Sequence, residues 1–187
     1  MSERSTARYE TAVATFVGVM ALVVSAYTAY VQRQQVRAQV LPILQYGTAN
    51  NPLSVGIDNK GVGPALIKHV VVTVDGEAMQ DWQHVLDKLV GPGKHHYSEN
   101  DIGSLILSPN ETVNILSPRD DNGAPLSVGS PGSTGAILNE GRLHIGVEIC
   151  YCSTLGDCWM LKGAGRGSDS REEVRHCPAR SERTFRE

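Results

Sequence analysis

Four cysteines carry most of the chemistry this sequence can offer. Cys150, Cys152 and Cys158 lie in the run ICYCSTLGDCW, and the fourth is Cys177. Sulfurs at such spacings can form disulfides, hold a soft metal ion or stay as free thiols. Cys150 and Cys152 are two apart, so in a strand they share a face, side by side. Cys158 returns after a short turn, which lets Cys152 and Cys158 stand opposite each other across a hairpin at a separation suited to a disulfide. Cys150 is then left to reach Cys177, closing a loop of about 28 residues. The pairing 152–158 with 150–177 is expected first, 150–158 with 152–177 second, and 150 with 152 last. Zinc sites favour paired knuckles with gaps of two to four residues, and a C-x-C pair with a distant fourth cysteine fits them poorly. Neither a metal nor a cofactor is expected.

Other polar clusters point to no reaction. His95 and His96 sit beside Glu99 and Asp101, but adjacent residues of an extended chain point opposite ways and read as solvated loop residues. His69 and His144 fall within strand patterns and read as surface or satisfied core residues. Asp120 and Asp121 lack the further oxygen ligands that calcium requires. No G-x-S-x-G elbow or H-E-x-x-H helix occurs, so no catalytic residue is named and a non-enzymatic role is expected.

The cysteines need elements to hold them. The chain has 187 residues and a net charge of −3, without the basic bias that nucleic-acid binding requires. Only 5% of residues are aromatic while Gly (19) and Pro (9) are plentiful, which suits a β-rich head with many turns.

Thr11 to Val31, TAVATFVGVMALVVSAYTAYV, has no charged residue. As a helix these residues span about 31 Å, the thickness of a bilayer's hydrocarbon core. Arg8 and Glu10 bound the run on one side and Arg33 and Arg37 on the other, with Tyr9, Tyr27 and Tyr30 near the interfaces. A cleaved signal peptide with a cut before Tyr27 competes with a retained anchor. The acidic Glu3 and Glu10 and the continuing apolar run favour the anchor. Ala14, Gly18, Ala21, Ser25 and Thr28 recur along one helix face, where a second copy or another protein's helix could approach. Arg4 and Arg8 nearly balance Arg33 and Arg37, so loop charge leaves the orientation open. An even cysteine count behind an anchor resolves it: the amino terminus is expected in the cytoplasm and the head outside it.

The organisation expected is a cytoplasmic stretch over 1–10, a transmembrane helix over 11–31, a juxtamembrane stalk over 32–42, a β-domain over 43–162, and a polar tail over 163–187 tethered at Cys177. Strands are predicted over 53–57, 65–74, 104–107, 112–116, 142–152 and 158–161. Met79, Trp82, Val85, Leu86, Leu89 and Val90 fall at helical spacing and predict one amphipathic helix packed on the sheet, stopped at Gly91-Pro92-Gly93. The Gly-, Ser- and Pro-rich run 119–135 predicts a long exposed loop. The glycines of Asn59-Lys60-Gly61-Val62-Gly63-Pro64-Ala65 precede a β-branched run, so they read as a strand reversal and not as a phosphate loop.

That N-x-G-x-G-P-A motif, the strand ending in Asp75-Gly76, the turn LILSPNETVNIL and the late strand LHIGVEICY resemble bacterial immunoglobulin-like domains, such as the cell-adhesion-related domain found in bacteria. Uncharacterised bacterial single-pass membrane proteins are similar too, with Arg33, Arg37 and Pro42 in the same order after the helix. The resemblance covers about residues 53–160. Asn110 replaces a usual Gly in the turn, and the helix near 79–90 and the extra cysteines depart from the simple domain. It implies an immunoglobulin-like β-sandwich with an extracytoplasmic, non-enzymatic role; joined to the readings above, the fold expected is mainly β, with one short amphipathic helix and one preceding transmembrane helix. The role expected is binding, assembly or adhesion in the periplasm, at a bacterial inner membrane. The partners expected are the lipid bilayer and a protein, or a second copy, met through the membrane helix. A cysteine-based redox or metal-sensing module, or an accessory subunit with a cytoplasmic head, is the alternative.

Overall fold

In the computed structural model the described residues are 3–165, 169–179, 181 and 184–186. They form two compact units, divided between Gln39 and Val40.

The first unit is one helix, α1 (Glu3–Gln39). Its segment Glu10–Gln39 is long and apolar enough to cross a membrane, and none of the apolar window is buried. Hydroxyls along it are satisfied within the helix: Thr15 donates to the Thr11 carbonyl, Ser25 to Ala21 and Thr28 to Val24, each at 2.8 Å. A polar side chain surrounded by lipid needs such a partner. The helix stops ahead of Pro42, which disfavours helical backbone at Leu41.

The second unit is mainly β and holds two antiparallel sheets. The first comprises β1 (Leu44–Asn50), β2 (Leu53–Asn59), β7 (Thr112–Arg119) and β5 (His96–Glu99), in that order. The second runs β10 (Ser170–Val174), β9 (Cys158–Ala164), β8 (Ile145–Cys152), β3 (Ala65–Val74) and β4 (Glu77–Met79), with β6 (Ile106–Leu107) pairing the start of β3. Both contribute to one core, which includes Tyr46, Val55 and Ile57 from the first sheet and Ile67, Val70, Val72, Ile149 and Tyr151 from the second. The β-branched run of β3 explains its central place, since its side chains are buried on both faces.

Helix α2 (Trp82–Val90) buries Trp82, Val85 and Leu86. Asp81 caps it by accepting the His84 N–H at 2.9 Å, and Gly91 ends it at φ 108°, where a side chain would be strained. Met79, which the helical pattern had included, belongs to β4 instead.

The N-x-G-x-G-P-A motif is a clasp on the segment that leads into the head. Asn59 is fully buried. Its Oδ1 accepts from the N–H of Ile43 (3.2 Å) and Gly61 (3.0 Å), and its Nδ2 donates to the carbonyls of Gly63 (2.8 Å) and Leu107 (3.1 Å). A Cβ at Gly61 would strike the backbone of Leu41 and Ile43, and one at Gly63 would strike Val40. The glycines are there for close backbone approach.

Several expectations need correction. The run 119–135 is, as expected, irregular and mostly exposed over 120–133, but it is anchored. Leu126 donates its N–H to the Pro118 carbonyl and accepts from Leu53, and Leu126 and Val128 pack against the core. Its end opens an unexpected helix, α3 (Thr134–Gly141), capped by Ser133. The strand predicted from Arg142 starts at Ile145, after a 3-10 turn over Arg142–His144. Strands β1, β4, β5 and β10 lie outside the predicted set, and the predicted strand at 104–107 is reduced to β6. The tail is more than a tethered polar segment. Ser170–Val174 adds a strand to β9, and Phe185 is buried in the core.

Candidate functional site

The four sulfurs meet at one end of the second sheet. In β8, Ile145, Val147, Ile149 and Tyr151 point into the core cluster, so Glu148, Cys150 and Cys152 point to the opposite face. There Cys152 lies directly opposite Cys158 of β9, and Cys150 is paired with His69 of β3. The hairpin between them is tight: Ser153 donates to Asp157, Gly156 to Ser153, and Gly156 adopts φ 85°.

Cys152 is bonded to Cys158 with their Cα atoms 4.0 Å apart, and Cys150 to Cys177 with theirs 5.6 Å apart. The two disulfides touch, with 3.8 Å between Cys152 Sγ and Cys177 Sγ. Cys150 is wholly buried, Cys152 and Cys158 nearly so, and Cys177 half-buried. The sulfurs of Cys152, Cys158 and Cys177 lie within 4.8 Å of one another, close enough to share a metal ion, with Cys150 Sγ outside that grouping.

The tail covers this outer face. Thr184 Oγ1 lies 3.4 Å from His69 Nδ1, and Phe185 donates its N–H to the Val70 carbonyl at 3.0 Å. Burial pushes the His69 imidazole below its ordinary pKa, with the carboxylate of Glu148 opposing the shift. An open hollow of about 550 Å³ lies alongside, lined among the described residues by Lys68, His69, Asp101, Ser181, Thr184 and Arg186.

The remaining candidates are dispersed into structural roles. His95 Nε2 lies 3.1 Å from both Asp87 Oδ1 and the Gly91 carbonyl, locking the end of α2. His96 belongs to the edge strand β5. Asp120 accepts the N–H groups of Asn122 and Ala124 and so shapes a turn. His144 Nδ1 lies 2.6 Å from Asp75 Oδ1. His84 pairs with Asp81 at 2.7 Å, which raises the imidazole pKa. Ala14, Gly18, Ala21 and Ser25 recur along α1, and no atom comes within 4 Å of a Cβ placed at Gly18.

Sequence spacing gave the hairpin of Cys152 and Cys158, because a turn of this length places the two positions opposite. It gave no sign of Phe185, a lone aromatic within a charged tail. No family model, curated protein or solved structure matches this chain.

Proposed function

We propose that this chain is a membrane-anchored binding and assembly module without catalytic activity. Helix α1 holds the head at a bacterial inner membrane, with the amino terminus in the cytoplasm and the head in the periplasm. The observation that carries the reading is the pair of disulfides, Cys150–Cys177 and Cys152–Cys158, behind a helix long and apolar enough to span a bilayer. Disulfides persist in oxidising compartments and are rare in the cytosol. We read the two-sheet head as an immunoglobulin-like sandwich, on the strength of its turn motifs and its shared core.

The head meets its partner through surface loops, and the face of Ala14, Gly18, Ala21 and Ser25 on α1 meets a second helix or another copy. Replacing both Gly18 and Ala21 by Leu is expected to lower self-association or partner recovery. Unchanged assembly of that variant overturns the helix contact.

Orientation is tested by fusing to the carboxyl terminus a reporter enzyme that matures only when its own disulfides form. Activity in intact cells is the expected result. Activity seen only with a cytoplasmic reporter would make the head a cytoplasmic accessory subunit.

A further inference from the structure

The sulfurs stand close enough to be ligands as well as disulfide partners. In a zinc tetrathiolate each Zn–S bond is about 2.3 Å, so the sulfurs stand about 3.8 Å apart at the corners of a tetrahedron. Cys152 Sγ and Cys177 Sγ, which are not bonded to each other, already stand 3.8 Å apart. Cys158 Sγ lies within 4.8 Å of both, while Cys150 Sγ, bonded to Cys177, lies outside that grouping and is the fourth ligand in reach through Cys177. Once the two S–S bonds open, the side chain of Cys150 must also turn toward the other three sulfurs, a change of rotamer and not of backbone. The supports differ usefully. Cys150, Cys152 and Cys158 are fixed by the β8–β9 ladder, while Cys177 comes from the segment after the exposed strand β10 and can yield. Spacing in the sequence argues against a zinc knuckle. The fold supplies the convergence that the spacing lacks.

We propose that the reduced head binds one divalent thiophilic metal ion of the zinc class through Cys150, Cys152, Cys158 and Cys177. Reduction of each disulfide takes two electrons from a dithiol or a phosphine, with two protons from that dithiol or from the water the phosphine consumes, and leaves two thiols. Four thiols then bind one ion and release up to four protons, giving a tetrathiolate of net charge −2. The cluster is thus cross-linked by sulfur–sulfur bonds when oxidised and by a metal when reduced. Either state ties the Cys177 segment to β8. The inference rests on the arrangement of the sulfurs and not on which side of the membrane holds the head, so it stands or falls apart from the orientation proposed above.

The test uses the full chain in detergent micelles without oxygen. The protein is reduced with a phosphine, which takes up one water oxygen per disulfide, and is titrated with Co²⁺ as a spectroscopic stand-in for Zn²⁺. The expected result is one ion per chain, with thiolate charge-transfer absorption and the intense visible bands of a tetrahedral site, displaced by Zn²⁺. The oxidised chain should give neither, and Cys150→Ser with Cys177→Ser should abolish stoichiometric binding. A second measurement follows alkylation of the reduced chain: bound Zn²⁺ should protect all four cysteines. If reduction unfolds the head, Zn²⁺ should restore its β-sheet circular dichroism. No stoichiometric uptake, the pale spectrum of a six-coordinate ion, an unchanged spectrum in the double variant, or a reduced head that zinc neither protects nor refolds would each overturn the proposal.

Discussion

Phe185 sets its ring edge-on against Trp82, with centroids 4.9 Å apart and planes inclined at 65°. Trp82 is the first residue of α2, and Phe185 comes from the extreme tail. The contact therefore joins two segments about a hundred residues apart, and the Phe185 N–H to Val70 holds it in place. Edge-to-face aromatic pairs add about 1 kcal/mol to the gain from burial.

Phe185→Ala should destabilise the head by about 3 kcal/mol. That is the low end for a buried Phe, because the tail can undock instead of leaving a cavity. Urea unfolding of the disulfide-intact chain, read by tryptophan fluorescence, measures it. A midpoint equal to wild type would show that the tail docks without stabilising.

Asn59→Ala should cost about 3 kcal/mol, since it strands the buried Gly61 N–H, the half-buried Ile43 N–H and two buried carbonyls at once. Gly63→Ala should be similarly damaging, because Val40 backbone occupies the space its methyl group needs. Hydrogen exchange should rise first at the N–H groups of Ile43 and Gly61 in the Asn59 variant.

The two disulfides should contribute unequally. On the loop-entropy account, Cys150–Cys177 stabilises by about 3.6 kcal/mol and the short Cys152–Cys158 loop by about 2.4 kcal/mol. Paired Cys→Ser variants compared by denaturant unfolding should keep that order. The reverse order would place the stabilisation in local packing instead.

His69 predicts an acid sensitivity. Burial holds its folded pKa below the ordinary value, so the unfolded chain takes up a proton where the folded head does not. Its share of stability is complete above about pH 6.5 and is lost as pH falls below that toward the folded pKa. Exposed His84, raised by Asp81, acts in the opposite sense, its share being lost as pH rises. Comparison of wild type with His69→Gln leaves His84 unchanged in both. The wild type should lose more stability than the variant between about pH 7 and pH 5.5. Parallel pH profiles would remove His69 from the tail's docking.

What the sequence by itself determined rests on local physics. An uncharged run of bilayer length specifies an apolar helix, a β-branched run specifies β3, and a short turn sets Cys152 opposite Cys158. The spacing of Trp82, Val85 and Leu86 specifies the buried face of α2. What only the tertiary structure decided depends on distant partners. The Gly- and Ser-rich run 119–135 has little local preference, and is ordered because Leu126 and Val128 reach the core. Polar Ser170–Val174 becomes a strand because β9 offers an open edge, and Phe185 is buried because Trp82 and Val70 leave it a place. The contact between the two disulfides belongs to the same class. It requires β8, β9 and the tail to be assembled first, and no spacing along the chain encodes it.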